Sequence, residues 1–484
     1  MKKGELVFIP FPVVGHIVSS LEMAKRLVAR DHRLSISILM LKIPGFEPLN
    51  KSYIQSLLGS IFAERIKFIE LSEVDDKLDS YSNLISHHIK FFTSFFENIK
   101  PHVRNALKNL IDSFSAQPDS PALAGLVIDM FSTAMIDIAD EFGVPSYVFF
   151  TSSAGYLRLM DHLETLSTGQ NRDIIAEYED EPDAEFVVPG FVNPVPAKVF
   201  PDVVLDKVDS PLILGQYRDM RRTKGILVNT FVELESPTID FLTKDKLFPP
   251  IYPVGPIISL NPSQSQKETE IVTWLDSQAP SSVVFLCFGS VGSVNGEQVK
   301  EIAMGLELSG VRFLWTLRKQ GQSTESEDYA DLNEALPEGF LDRTAEIGRV
   351  IGWAPQVTVL AHSSVGGFVS HCGWNSTLES LWFGVPMATW PLYAEQQINA
   401  FVLVKELRLA VEIKLDYRKS FDEGTVIVKA EEIKVGILKL MEPHNDVRKK
   451  VKEVSEKGKK TLMEGGSSYS SLCRFINVVF DNIP

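Results

Sequence analysis

Short apolar runs of strand length alternate along this chain with stretches of helical period, and the alternation stops once and restarts. The first set of runs is Leu6–Pro10, Leu34–Leu41, Ile66–Leu71, Gly125–Asp129, Ser146–Phe150 and Gly225–Asn229. Helix-like stretches such as Ser20–Arg30 and Ser132–Phe142 lie between them. An unbroken run of Val, Ile, Leu and Phe is what a strand covered on both faces requires, because neither face meets water. Such strands alternating with helices predict an α/β, doubly wound domain around a parallel sheet. The pattern is interrupted by Phe248-Pro249-Pro250-Ile251-Tyr252-Pro253-Val254-Gly255-Pro256 and the polar stretch Asn261–Lys267. Proline locks φ and removes a donor, so this reads as a stiff connector. Beyond it, strands are expected at Val283–Phe288, Phe313–Leu317, Val350–Trp353, Gly367–Ser370 and Met387–Trp390. Helices are expected at Glu297–Leu308, Ser376–Phe383 and Gln397–Leu407.

A chain of 484 residues exceeds one comfortable core. The expected division is a first domain 1–247, a linker 248–267, a second domain 268–464 and a terminal helix in 465–484. The basic stretch Val447–Lys460 reads as a helix, stopped by Gly465-Gly466 before the amphipathic Tyr469–Asp481. Glu177–Asp183 and Gln320–Asn333 read as surface loops. With a net charge of -15, nucleic acid and anionic membrane surfaces are not the expected partners, since both reward a basic face, although peripheral attachment to a membrane stays open. A small anionic substrate stays open, because backbone amides at a helix N-terminus can neutralise it locally. Cys287, Cys372 and Cys473 form no CxxC pair, which fits a reducing compartment. Pro10 and Pro12 break the first apolar run, and no run reaches the ~20 residues of a spanning helix. The expectation is a soluble, cytoplasmic monomer.

Chemistry concentrates in 353–396, WAPQVTVLAHSSVGGFVSHCGWNSTLESLWFGVPMATWPLYAEQ. It holds an aromatic able to stack on a base, a glycine pair, a His-Cys-Gly-Trp-Asn-Ser run opening a helix, and a terminal acid-amide pair. Together these can bind a nucleotide carrying a diphosphate and a sugar. Asn375 and Ser376 are good helix N-caps, and unpaired amides with the positive helix end favour a diphosphate there. A second glycine turn, 288–293, would let Ser293 and the backbone approach the same group. Singly, a Trp such as Trp353 at a strand end is more often a core residue, and an Asn375-Ser376 pair before a helix is usually a plain cap. The full ordered segment, however, closely resembles the signature box of the plant secondary-product UDP-glycosyltransferases. That resemblance implies a GT-B fold, two Rossmann-like domains facing across a cleft, with the terminal helix crossing back to the first. It also implies UDP held by Ser293, Trp353, Ala354, Gln356, His371, Asn375, Ser376 and Glu379. Trp374, Glu395, Gln396 and Thr151 would face the sugar, and the terminal glutamine points to UDP-glucose.

The first strand runs into Pro12-Val13-Val14-Gly15-His16, so His16 sits at the carboxyl end of that strand, where open α/β sheets place ligands. Asp129 ends another predicted strand and could orient the imidazole, or simply cap the helix that follows. In the family a histidine in this setting is the general base and an aspartate its partner. The implied reaction is inverting O-glucosylation of a small hydrophobic metabolite. The stretches 126–155 and 187–196 are most similar to the branch acting on flavonoids, other phenolics and triterpenoids. Phe11, Phe149, Phe200 and Tyr393 are candidate acceptor-pocket walls, while Phe91-Phe92 and Phe95-Phe96 read as core. No two aspartates are separated by one residue, so neither a metal nor any other cofactor is expected. A nicotinamide oxidoreductase would need GxGxxG after the first strand, where this chain has one glycine. A non-catalytic nucleotide-sugar-binding protein would have no use for both His16 and Asp129.

Overall fold

The computed structural model describes residues 2–43, 62, 64–71, 88–115, 120–181, 183–260, 266–290, 292–320, 326–419 and 426–483. Among them, one parallel sheet is built from β1 (Gly4–Ile9), β2 (Leu34–Met40), β3 (Ile66–Glu70), β4 (Ala122–Asp129), β5 (Ser146–Phe150), β6 (Ile226–Val228) and β7 (Ile251–Pro253). Its spatial order is β3-β2-β1-β4-β5-β6-β7. A second parallel sheet contains β8 (Val283–Cys287), β9 (Arg312–Thr316), β10 (Gly348–Ile351), β11 (Val365–Ser370), β12 (Met387–Thr389) and β13 (Ala410–Glu412). Its order, β10-β9-β8-β11-β12-β13, repeats the doubly wound plan of the first. In each sheet the direction of winding reverses between two central strands, β1 and β4 or β8 and β11. A crevice opens at the carboxyl ends of such a pair.

Burial explains the strand sequences. Every residue of β1, β5, β8 and β11 is buried, as expected for strands with helices on both sides. Side chains alternate between the two faces. Val148 and Phe150 join one core with Val7, Ile9, Ile99 and Val103, while Tyr147 and Phe149 join another with Leu6, Phe8, Leu21 and Leu27. That second face is covered by the helix Ser467–Asp481 through Leu472, Phe475, Ile476 and Val479. The Phe475 ring stands edge-on to Tyr147, with centroids 4.9 Å apart at 85°. The last helix of the chain is therefore part of the first sheet's core.

Several boundaries differ from the sequence expectation. Ile251–Pro253, inside the expected linker, is the edge strand β7. Prolines are tolerated there because an edge strand bonds on one side only, here through Ile226 N–H to Pro250 O and Val254 N–H to Val228 O. Residues 261–265 of the expected linker lie outside the described residues. Part of the expected loop at Glu177–Asp183 is helical, because Asp173 caps Ile174–Asp180 by accepting from Ala176 N–H at 3.0 Å. The stretch Gln320–Asn333 contains an antiparallel pairing of Arg318–Gln320 with Ser326–Asp328, and 321–325 lie outside the described residues. The helix expected over Gln397–Leu407 is α-helical only for Gln396–Phe401 and then widens into a π-turn at Val402–Glu406.

Truncating Phe475 should open a cavity shared by the terminal helix and the first sheet. Phe475→Ala is expected to cost about 3–5 kcal/mol, read as unfolding at lower urea. Asn477→Ala, on the exposed side of the same helix, should stay within about 0.5 kcal/mol. Equal effects of the two would contradict the packing described.

Candidate active site

β1 and β4 are neighbours, with Ile9 in register with Ile128, so the groups that follow them emerge side by side. His16 lies in the first turn of the helix Val14–Arg30, and Asp129 is the last residue of β4. His16 Nδ1 lies 2.7 Å from Asp129 Oδ2. An ionised carboxylate only accepts, so Nδ1 carries the proton and Nε2 keeps a lone pair. The other oxygen, Asp129 Oδ1, accepts from Phe131 N–H at 3.0 Å, which fixes the carboxylate plane. Burial pushes the His16 pKa down, but the charge and hydrogen bond of Asp129, aided by Glu395, outweigh it and leave the pKa raised. Thr151 Oγ1 also approaches His16 Nδ1, at 3.1 Å. Aromatic rings border the imidazole: Phe11 at 5.5 Å and Phe131 at 5.6 Å between centroids, with Phe92 edge-on to Phe11 at 4.8 Å.

In the second domain, the corresponding reversal lies between β8 and β11. Gly289 follows β8 with φ of +81°, and a Cβ there would lie 2.6 Å from His371 Nε2. Only glycine lets this turn approach the His371 ring so closely. Burial lowers the His371 pKa to about 4 despite a hydrogen bond with the Cys287 backbone, so the ring is neutral. Cys372, at φ +64°, holds the left-handed backbone that turns β11 into the helix Trp374–Phe383. Strain of this kind costs about 1–3 kcal/mol and concentrates at functional turns. The cap of that helix is Gly373, without a side-chain bond, so Asn375 and Ser376 lie in its first turn rather than capping it. The first-turn amides thus lack a capping side chain, which suits an anion.

Trp353 lies beyond the end of β10 and is 49% exposed, an open aromatic face, while Ala354 beside it is buried. Gln356 Nε2 donates to Ser376 Oγ at 2.8 Å and to Glu379 Oε2 at 2.7 Å. Burial raises the Glu379 pKa to about 7 despite the Gln356 bond. Ser293 accepts from Lys419 Nζ at 3.0 Å, which brings a lysine to the glycine turn after β8; Val291 of that turn lies outside the described residues.

Other expected site residues sit differently from the simple expectation. Gln396 Oε1 accepts from Leu392 N–H at 2.8 Å and Tyr393 N–H at 3.1 Å, and its side chain also hydrogen-bonds the Tyr393 hydroxyl, so the amide is largely engaged by its own loop. That bond closes a loop in which Ala394 takes φ +58° and sets the direction of Glu395. The Glu395 pKa is raised by burial, opposed by backbone hydrogen bonds, including the Trp374 amide, and by nearby His16. The Trp374 indole is buried and donates to Asn229 O at 2.6 Å, in the other domain. Phe149 points away from His16, into the core under the terminal helix, because it alternates with Phe150. Phe200 packs on Phe186 at 5.0 Å, and Tyr393 lies against the second domain's core, its pKa pushed up to about 12 by burial. Of the four expected pocket walls, Phe11 is the one in ring contact with His16. Residues missed in the sequence are Phe131, two positions after Asp129, and Asn399. The latter accepts from Ser153 Oγ at 3.0 Å and donates to Cys372 O at 3.1 Å, linking the domains. Only the spacing from Asp129 could have marked Phe131, and nothing local marks Asn399.

Comparison with known proteins gives the geometry a context. The sequence model of a family described as UDP-glucoronosyl and UDP-glucosyl transferase matches residues 235–446. UDP-glycosyltransferase 71A15 of Malus domestica is 52% identical over 99% of this chain and 100% of its own length. The putative UDP-glucose flavonoid 3-O-glucosyltransferase 3 of Fragaria ananassa is 51% identical over 99% of this chain and 100% of its own. Medicago truncatula UGT71G1, solved in complex with UDP-glucose, superposes with a TM-score of 0.86 at 42% identity, covering 99% of this chain and 98% of that one. The two Rossmann-like domains form the GT-B fold of these plant enzymes. With identity of this depth along nearly its whole length, the chain belongs to the UDP-glycosyltransferase family, and it is an enzyme of that class.

Proposed function

We propose that the enzyme moves glucose from UDP-glucose, with inversion and without a metal, onto a hydroxyl of a small hydrophobic plant metabolite such as a flavonoid, stilbene or other phenolic. The observation that carries this reading is the His16–Asp129 pair, with its Nε2 lone pair beside Phe11 and Phe131. Flat aromatic walls next to a base suit a phenolic acceptor. The UDP-glucose bound to the Medicago enzyme and the flavonoid named for the strawberry relative support the donor and the acceptor class.

In this reading His16 Nε2 takes the acceptor hydroxyl proton, and Asp129 stabilises the imidazolium that forms. The acceptor oxygen bonds to C1 of glucose as the C1–O bond to UDP breaks on the opposite face. Negative charge spreading onto the diphosphate is met by the first-turn amides around Asn375 and Ser376 and by the neutral His371 ring. Trp353 stacks on the uracil beside Ala354, Ser293 adds a hydroxyl near the diphosphate, and Glu379 with Gln356 takes the ribose hydroxyls. Glu395 accepts from sugar hydroxyls, Gln396 donates through its NH2, and Thr151 adds a hydroxyl to that surface, while Trp374, buried and bonded to Asn229 O, holds the floor beneath it. UDP release on a panel of phenolic and terpenoid alcohols, with the anomeric configuration of the product read by NMR, tests the reading. Retention at C1, or no turnover with any hydroxyl acceptor, would sink it.

His16→Ala should lower kcat by about 10²–10⁴-fold while leaving UDP-glucose affinity nearly intact. Because Asp129 raises the His16 pKa, the acid limb of kcat/KM should lie above an ordinary histidine's value, activity falling as pH drops through it. Asp129→Asn should move that limb down. A limb unmoved by this change would remove Asp129 from its assigned role.

Donor affinity should carry its own pH dependence. Glu379 must be ionised to accept two ribose hydroxyls, and its pKa is raised to about 7. UDP-glucose, whose diphosphate does not titrate near neutrality, should therefore bind several-fold more weakly at about pH 6 than at about pH 8. Calorimetric titration at both values measures this, and Glu379→Gln should abolish the difference.

Gln396→Glu keeps an oxygen for the Leu392 and Tyr393 amides but removes the NH2. It should lower kcat/KM for UDP-glucose by about tenfold or more, with little change in UDP affinity. Unaltered glucose transfer in this variant would show that the amide serves the loop alone.

A further inference from the structure

We propose that Asn375 and Ser19 are positioning residues for His16, tying the first turn of the helix Trp374–Phe383 to the first turn of the helix that carries the base. The proposal rests on the reading above, in which the former turn holds the donor diphosphate. Asn375 Nδ2 donates to Gly15 O at 3.2 Å, across the gap between the domains. Ser19 Oγ lies 2.8 Å from Gly15 O and 3.3 Å from Asn375 Oδ1. Gly15 O belongs to the same rigid peptide unit as the His16 nitrogen, so whatever holds that carbonyl also orients the His16 backbone. Ser19 is 3% exposed, so its hydroxyl is packed between Gly15 O and the Asn375 amide rather than turned to solvent.

The chemistry of the amide makes this a link rather than a simple contact. An asparagine NH2 has two hydrogens. One bonds to Gly15 O, and the other is left for a phosphate oxygen of the donor. Ser19 has a single hydroxyl proton, shared between Gly15 O and Asn375 Oδ1, and it keeps the amide in one orientation. Donor binding and base alignment thus meet in one side chain. The fit is close: a Cβ on Gly15 would lie 3.3 Å from Asn375 Nδ2. An alanine there would push the amide away without touching Asp129 or the His16 ring.

The test is a mutant cycle read in kcat, UDP-glucose affinity and melting temperature. Gly15→Ala and Ser19→Ala are each made in the native enzyme and in the His16→Ala background. In the native enzyme Gly15→Ala should cut kcat by about tenfold or more, and Ser19→Ala by several-fold, since small misplacement of a base is costly. For Ser19→Ala, which leaves the Asn375 bond to Gly15 O in place, UDP-glucose affinity should stay within about twofold. Gly15→Ala, which displaces the Asn375 amide, should weaken UDP-glucose as well. In the His16→Ala background Ser19→Ala should not lower the residual rate further, because it acts through His16, and Gly15→Ala should lower it less than in the native enzyme. Equal losses in both backgrounds, or affinity falling in step with kcat for Ser19→Ala, would overturn the positioning role and leave only a structural or donor-holding contact. Unchanged kcat in the native background would overturn it too. Failure of the functional reading itself would show separately, as an unsubstituted enzyme that transfers nothing from UDP-glucose to any hydroxyl, and it would remove the ground for this proposal.

Discussion

A parallel strand cannot return to its neighbour without a crossover, and the rest of this protein depends on that constraint. His16 and Asp129 are 113 residues apart in sequence and 2.7 Å apart in space, because β1 and β4 are adjacent while the chain between them passes through β2, β3 and their helices. The same rule, applied to the second sheet, puts the glycine turn after β8 against His371 after β11. Two reversals of winding produce two crevices, each with its chemistry at the strands' carboxyl ends. With bonds from Asn375 to Gly15 and from Trp374 to Asn229 crossing between them, the crevices face one another.

Electrostatics at the centre follow from burial rather than from net charge. The chain carries -15 overall, a poor field for a diphosphate. The candidate donor region answers with dipoles and a neutral ring: helix amides around Asn375 and Ser376, and a His371 kept uncharged by burial. Carboxylates in the same region, Glu379 and Glu395, have raised pKa values for the same reason, since desolvation disfavours their charge. His16 goes the other way, because Asp129 lies within hydrogen-bonding distance and outweighs desolvation.

The domains are joined at more than the cleft floor. Arg418 of the second domain donates to Lys198 O at 3.0 Å and Phe200 O at 2.7 Å, and also pairs with Asp202. Glu406 accepts from the amides of Val192 and Asn193 at 2.7 Å and 2.8 Å. These bonds hold the segment 192–202 of the first domain against the second. Many crossing contacts are backbone groups met by charged or amide side chains, which gives direction as well as attraction. They set the geometry in which His16 of the first domain faces the first turn of the helix Trp374–Phe383 of the second.

The sequence by itself determined the parts that depend on local order. Alternating apolar runs specified two doubly wound units, since a strand buried on both faces has one composition and the helices between have another period. The segment 353–396 was legible because its groups are contiguous, and His16 and Asp129 because both end predicted strands. Tertiary structure decided what depends on facing and on shared partners. Phe149 and Phe150 are adjacent and equally apolar, yet the sheet sends Phe149 under the terminal helix and leaves Phe150 in the other core. Gln396 could be named from its position, but not that two backbone amides already claim its oxygen. The proline-rich stretch 248–256 read as a linker, and only pairing with β6 made Ile251–Pro253 within it an edge strand. Each of these turns on a neighbour distant in sequence, and a one-dimensional pattern carries no record of who that neighbour is.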